Sequence, residues 1–413
     1  MGTLPFILLG TLALIALIDY IPYFINATKK PITVRSSRGK NPDYLIMPTV
    51  YGDISYLKNT KFLAKYADKV VICTSVYEST EFYAALQAIC DRYNLRYITV
   101  DVPVVKGKPV KNAYTIYKGA FRDISVLDVD TDTPCLLLDA DTYAKDSIKD
   151  LMHTFIEAKC DMASLRCEVA NTNNLIEILQ EYEYNSAMEN RRMDPWLTSG
   201  ACNMAKARVF QSVFNNHSDF FAGGDIEIGK IAQLMGYDLQ HITFVFYTEV
   251  PSRFVDWFKQ RIIWSAGGVR HHVINIASGS WYHFFILFYS SLIIYLLMPL
   301  RWIEFIHFPI AFLLLVCISW LYIFIVNIGR GWRKEYLVLP AYAFIQSMII
   351  LPIAFVRYAK YAWTQKSLGI IRHDLSHTTG SLILTSWFLN IATAGVIVFI
   401  AAWLTISRII YWG

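Results

Sequence analysis

Two aspartates spaced two apart, Asp139 and Asp141, close the apolar run Cys135-Leu136-Leu137-Leu138. A short apolar run ending in acids reads as a buried strand. In extended backbone the side chains at i and i+2 leave the same face, so both carboxylates can reach one hard cation such as Mg²⁺ or Mn²⁺. A cation at the carboxyl end of a buried strand sits where open α/β sheets hold their ligands. Its natural partner is a diphosphate, whose charge it neutralises as the group leaves. A third acid, Asp225, stands in Gly223-Gly224-Asp225-Ile226-Glu227-Ile228-Gly229, at the start of a helix reaching to about Met235. Capping that helix is one role for it, and taking the proton from an attacking hydroxyl is the other. A rival triplet, Asp128, Asp130 and Asp132, lies in a polar stretch closed by Pro134 and reads as a solvated loop.

The elements that must carry these acids alternate. Tyr44–Met47 reads as a strand, and so do Lys69–Cys73 and Leu95–Val100, with a helix over 79–92. Strand, helix and strand with short loops predict a parallel α/β sheet. The segment Lys106-Gly107-Lys108-Pro109-Val110-Lys111 follows; it fits either a solvated loop or a point charge, Lys108, on a phosphate. Thr198-Ser199-Gly200-Ala201-Cys202 is small enough for backbone to approach a ligand, or is a tight turn before a helix. Residues 254–266, with Trp257, Phe258 and Trp264, suit a helix lying in a membrane interface.

The 413-residue chain is 55% hydrophobic, above the ~45–50% of ordinary soluble domains. Its mean hydropathy is +0.35. The excess lies at the two ends, leaving 40–250 as a globular domain. A net charge of +5 is too mild to argue for nucleic acid. Seven cysteines without a CxxC pair read as buried free thiols in a reducing compartment. Residues 1–28 form an expected N-terminal transmembrane anchor. Lys29, Lys30, Arg35, Arg38 and Lys40 after it place the next domain in the cytoplasm. A transmembrane hairpin is expected over 281–329. Residues 336–356, interrupted by Pro340 and Pro352 and flanked by basic residues, are expected to lie at the interface or re-enter. A last span is expected within 383–413. The protein is thus read as multi-pass in a plasma (inner) membrane.

The blocks P-T-V-Y-G-D, G-K-P-V-K-N-A, L-L-L-D-A-D, S-G-A-C, G-G-D-I-E-I-G and K-Q-R-I-I-W occur in the order that resembles the membrane-bound family-2 glycosyltransferases. The closest likeness is to processive polysaccharide synthases of the poly-N-acetylglucosamine, hyaluronan, cellulose and capsule types. It covers roughly residues 44–270 and implies a GT-A type nucleotide-sugar domain with a parallel central sheet, set between transmembrane helices, with interfacial helices over 251–280. It also implies an inverting, metal-dependent transfer from a UDP-sugar, UDP-GlcNAc or UDP-Glc, to a growing glycan, with self-association permitted. A lipid acceptor, as in enzymes resembling glucosylceramide synthases, is the alternative, and an inactive transferase-like membrane protein the third.

By position, the resemblance assigns Thr49, Tyr51, Asp53, Thr74, Lys108 and Asp139 to the nucleotide, and Asp139 and Asp141 to the metal. Asp225 matches the base. Ser199, Gly200, Ala201, Cys202, Gly224 and Trp264 fall on the sugar side. Gln260 and Arg261 match the Q-x-x-R-W helix near the diphosphate, and Trp363, Thr364 and Lys366 match a cytoplasmic W-x-T-R loop within 336–382. Three positions depart from the family pattern: Ile263 replaces the arginine of Q-x-x-R-W, Thr74-Ser75 replaces a second nucleotide-side aspartate, and Gly224 replaces an acid before the base.

Overall fold

The computed structural model describes residues 30–37, 39, 41–220, 222–278 and 331–365, with Thr28 and single positions between 313 and 327. The expected anchor at 1–28, nearly all of the hairpin at 281–329, the last span at 383–413 and Lys366 lie outside the described residues. The chain divides between Ser252 and Arg253, with Lys29–Ser252 in one unit and Arg253–Ile370 in the other.

The first unit is a mixed α/β layer structure on a mostly parallel sheet. Its strands are β1 (Ile32–Thr33), β2 (Leu45–Thr49), β3 (Val71–Ser75), β4 (Arg96–Val100), β5 (Pro134–Asp139), β6 (Tyr143–Ala144), β7 (Met162–Val169), β8 (Cys202–Lys206) and β9 (Leu239–Thr248). They run in the order β1-β9-β7-β8-β5-β2-β3-β4, with β6 on β9. β2 and β3 are buried along their whole length, which is why they read as continuous apolar runs. β2 pairs in parallel with β5, bringing Thr49 opposite Asp139. Between these two strands the Tyr117 hydroxyl donates to the carbonyls of Met47 at 2.8 Å and Leu138 at 3.1 Å.

The helices begin where short polar side chains can satisfy free N–H groups. Helix α1 (Thr80–Tyr93) starts at Ser79, whose hydroxyl accepts from the Phe82 N–H, and ends at Asn94 in the left-handed region, φ 53°. Helix α2 (Ala113–Ala120) starts in a capping box of Asn112 and Thr115. Helices α3 (Ile148–Ala158), α4 (Leu175–Met193), α5 (Ala207–Asn216) and α6 (Gly224–Leu234) complete the unit's longer helices.

The sheet is not wholly parallel as the sequence suggested. β8 runs antiparallel to both β5 and β7. Its residues, Cys-Asn-Met-Ala-Lys, include none of the β-branched or aromatic types that mark strands, so only the slot between two buried neighbours makes them one. The aspartates of the rival triplet are exposed, and Asp132 pairs with Arg208 at 2.7 Å. They precede β5, at the opposite end from Asp139. Cys73, Cys90, Cys135, Cys160, Cys167 and Cys202 are buried free thiols.

In the second unit, helix α7 spans Phe254–Ser278. A helical run covers Lys334–Thr364, with mean hydropathy 1.9 in its most apolar stretch; among the described residues it is the one helix long and apolar enough to cross a membrane. Pro340 and Pro352 do not break it, although the sequence reading took them as interruptions. Pro340 stands just past a 3₁₀ turn over Lys334–Val338 and Pro352 just past a π-helical stretch over Gln346–Ile350, so both fall where the regular i→i−4 bonding already changes. The Trp257 indole N–H donates to the Tyr342 hydroxyl at 2.8 Å, with ring centroids 4.8 Å apart.

Candidate active site

β3 and β4 extend the sheet from one side of β2, and β5 lies on its other side. The order of the strands therefore reverses between β2 and β5, which run parallel, and the crevice beyond their carboxyl ends is where such sheets bind ligands. Asp139 is the last residue of β5. The turn after it is braced by Asn59, whose amide donates to the carbonyls of Asp139 at 3.1 Å and Thr142 at 2.7 Å. The N–H groups of Lys58 and Asn59 both donate to the Ala140 carbonyl, at 2.9 and 3.2 Å. One oxygen of Asp141 accepts from the Thr248 hydroxyl at 3.2 Å.

Burial pushes the Asp139 carboxyl up to about 8, with the charges of Asp141 and Asp225 adding to it. Burial also raises Asp141, against the Thr248 hydrogen bond. Two acids that resist ionisation together are short of a positive neighbour. Lys58, the nearby cation, is taken by Glu249. A divalent cation fits this place. Among the described residues no group of three or more His, Cys, Asp or Glu side chains converges, so phosphate and water oxygens would fill the remaining positions.

Asp225 stands in the first turn of α6, after Gly223 at φ 72°. Burial raises its carboxyl, while the Arg191 charge and the N–H groups of Ile226 and Gly200 hold it down. The Ser199–Ala201 turn therefore lies close to Asp225. The Thr198 hydroxyl donates to the Asp225 carbonyl. A Cβ on Gly200 would stand 3.4 Å from the Tyr114 hydroxyl and 3.7 Å from Asp225 Oδ2. Burial raises Tyr114 well above the usual phenol range, and Asp225, Asp139 and Tyr51 add to the effect. Tyr114 thus lies among the metal pair, the base candidate and the nucleotide-side wall.

The other sequence-assigned residues scatter more. Thr49 is buried at the end of β2 and Thr74 within β3. Tyr51 is raised by burial and by Asp139, with the Ala113 N–H acting against them. Asp53 is exposed and accepts the Ser55 N–H at 2.9 Å, which holds its carboxyl low. Lys108 is exposed on a small hairpin with Val104–Val105. Lys111, not Lys108, is tied to the nucleotide-side loops. It pairs at 2.9 Å with Glu78, whose side chain is 2% exposed and also accepts the Gly52 N–H at 3.0 Å. Ser199 accepts the Ala201 N–H at 3.3 Å, and Cys202 turns into the core against Cys167. Sequence reasoning missed Tyr114 and Glu78. An isolated tyrosine or glutamate outside any block carries no signal until the fold brings it to the crevice.

On α7, Gln260 accepts from Arg261 at 2.7 Å, and the Arg261 guanidinium lies 4.2 Å from the Trp264 ring centroid. Trp363 is 87% exposed near the end of the helical run. The Thr364 hydroxyl donates to the Lys360 carbonyl at 2.7 Å.

Residues 135–327 match the model of Glycosyl transferase family group 2. That stretch holds Asp139, Asp141, the Ser199–Ala201 turn, Asp225 and the Gln260–Trp264 segment. Among solved structures, a mannosyltransferase, PcManGT from Pyrobaculum calidifontis in complex with GDP-Man and Mn²⁺, superposes with a TM-score of 0.50 at 12% identity. The alignment covers 86% of this chain and 99% of that one, and it shows a shared fold. A putative glucose-1-phosphate thymidylyltransferase from Bacillus anthracis in complex with a sucrose aligns at 12% identity and a TM-score of 0.28, over 50% of this chain and 87% of that one. That likeness is too low to carry an argument. No curated protein matches the chain. The family match and the fold together support a family 2 glycosyltransferase.

One residue of α6 makes a prediction about stability. Lys230 is 1% exposed, with its ammonium 4.5 Å from the Trp196 ring centroid. Burial pushes it down to about 7, against the pull of Asp194. Its folded value lies below the unfolded ~10.4, so the unfolded chain binds more protons between the two and stability rises with pH across that window. Lys230→Met should therefore stabilise the domain, on the order of 3–4 kcal/mol at pH 6, with the gain gone by about pH 10. Thermal melts of both proteins at pH 6 and pH 10 check this; an equal gain at both pH values overturns it.

Proposed function

We propose that this chain is an inverting glycosyltransferase of family 2. It would use a UDP-sugar, UDP-GlcNAc or UDP-Glc, to extend a β-linked polysaccharide from the cytoplasmic face of a membrane and pass it across. The observation that carries the reading is the seat of Asp139: its N–H donates to the Ala201 carbonyl at 3.0 Å, and its buried carboxyl is raised by the charges of Asp141 and Asp225. Asp139 and Asp141 would hold Mg²⁺ or Mn²⁺, which supplies positive charge to the departing diphosphate. Asp225 would accept the proton of the acceptor hydroxyl as its oxygen bonds to the anomeric carbon and the bond to the diphosphate breaks. Attack from the face opposite the leaving group inverts that carbon.

Membranes carrying the full chain can be supplied with labelled UDP-GlcNAc, UDP-Glc and GDP-mannose, singly and in pairs, with Mg²⁺ or Mn²⁺. GDP-mannose belongs in the panel because a protein of this fold binds it. The expected result is UDP release, abolished by chelator, with high-molecular-weight label that a glycan hydrolase digests. Label that follows organic solvent would move the assignment to a lipid acceptor, and transfer from GDP-mannose alone would correct the donor. No nucleotide release with any donor would overturn the reading.

A further inference from the structure

Asp225 is oriented by more than its own helix, through a buried cluster centred on His217, which lies outside every sequence motif. We propose that His217 is a positioning residue for Asp225, clasping the Gly223–Asp225 turn to helix α2 and so setting the aim of the base. The inference rests on the reading of Asp225 as base.

His217 follows α5 and is buried. Its Nε2 lies 3.2 Å from the Gly224 carbonyl oxygen, and its Nδ1 lies 3.1 Å from the Asp219 backbone nitrogen. The tautomer protonated on Nε2 satisfies both: Nε2–H donates to Gly224 while Nδ1 accepts from Asp219. The ring stacks on Tyr114, with centroids 5.4 Å apart and planes 22° from parallel. Glu227 closes the clasp from α6, accepting the Ser218 N–H at 2.7 Å and the Ser218 hydroxyl at 2.9 Å. Its carboxylate also lies 3.4 Å from His217 Nε2.

Helix α2 grips the same segment a second time. Lys118 donates to the His217 carbonyl at 3.1 Å and to the Asp219 carboxylate at 2.6 Å. Tyr114 and Lys118 are four residues apart, on one face of α2. The N-terminal residue of that helix, Ala113, has its N–H near enough to Tyr51 to lower the phenol. One short helix therefore carries both the nucleotide-side wall and the seat of the base loop. His217 fixes the carbonyl immediately before Asp225, so releasing it lets the carboxylate swing. A shift of about 1 Å in a reacting group lowers rate by roughly a hundredfold.

The test compares His217→Leu, which keeps bulk without a donor, with His217→Gln, whose amide can donate to Gly224. Each is measured in the full chain in membranes, with the donor found active for wild type. We expect His217→Leu to lower kcat ten- to a hundredfold with donor KM within twofold of wild type, and His217→Gln to recover kcat to within about fivefold. Lys118→Met covers the case in which the leucine variant does not fold: it keeps His217 but frees one side of the segment, and should lower kcat three- to tenfold at unchanged donor KM. Equal kcat per folded molecule in wild type and the leucine variant overturns the proposal, or in wild type and Lys118→Met if the leucine variant does not fold. So does a glutamine variant no better than leucine. Failure of the underlying reading shows separately, as an active wild type whose Asp225→Asn variant is equally active.

Discussion

Asp225→Asn should lower kcat by about 10²–10⁴-fold while leaving nucleotide binding within a few-fold of wild type, because a positioned general base contributes a factor of that size. The substitution keeps shape. An asparagine keeps the same size beside Gly200, and the backbone carbonyl still meets the Thr198 hydroxyl. What it removes is the ability to take a proton. Rate assays with the active donor, beside calorimetry with UDP and Mn²⁺, separate the two effects. Unchanged turnover would remove Asp225 from its role, and lost binding would move it to the donor side. The pH profile gives an independent check. Burial holds this carboxyl above its ordinary range, so the acidic limb of kcat/KM should lie above that of an exposed aspartate and level off as the carboxyl ionises. The base is active only when deprotonated, so activity rises with pH through that limb.

The parts of this site legible in the sequence were those fixed by local pattern. An apolar run closed by paired acids gave β5 and its carboxylates, and the alternation before it gave β2, β3 and β4 within two residues. Glycines ahead of Asp225 gave the start of α6. Contacts between distant segments were not legible. Tyr114 and His217 are 103 residues apart by their numbering and meet only because α2 and the end of α5 cover the same edge of the crevice. β8 could not be read because its strand character comes from its neighbours and not from its residues. Lys111 displaced Lys108 as the lysine near the nucleotide-side loops for a similar reason: Glu78, its partner, lies beyond the end of β3 in a stretch without any strand or helix signature. Pro340 and Pro352 misled in the opposite direction. Local rules make proline a helix breaker, yet both fall where the helical bonding already changes.

Gly224 is the departure from the family pattern that the structure explains, and it sets up the second large effect. A Cβ there would come within 2.6 Å of Tyr114 Cδ2, 2.8 Å of Cε2 and 3.0 Å of Cγ. The clash is with the body of a ring, not the tip of a flexible chain, and the ring is backed by His217. Helix propensity alone would favour alanine over glycine inside a helix by up to about 1 kcal/mol. Forcing atoms into a filled site costs about 1–3 kcal/mol, so packing should win and Gly224→Ala should destabilise. Placing an acid there with Gly224→Asp should be worse, because it adds a charge beside Asp225 and Asp139, whose carboxyls burial already raises. We expect that variant to lose at least a hundredfold in kcat/KM, with a clear fall in Tm. The cause is separable from a general intolerance at this position. Tyr114→Ala opens the space that the new side chain needs, so in a double-mutant cycle the stability losses of Gly224→Ala and Tyr114→Ala should fall short of additive by about 1 kcal/mol or more. Additive losses would mean that the ring is not what excludes a side chain from residue 224. A coupled pair would mean that the Tyr114 ring, held against His217, is what keeps residue 224 a glycine.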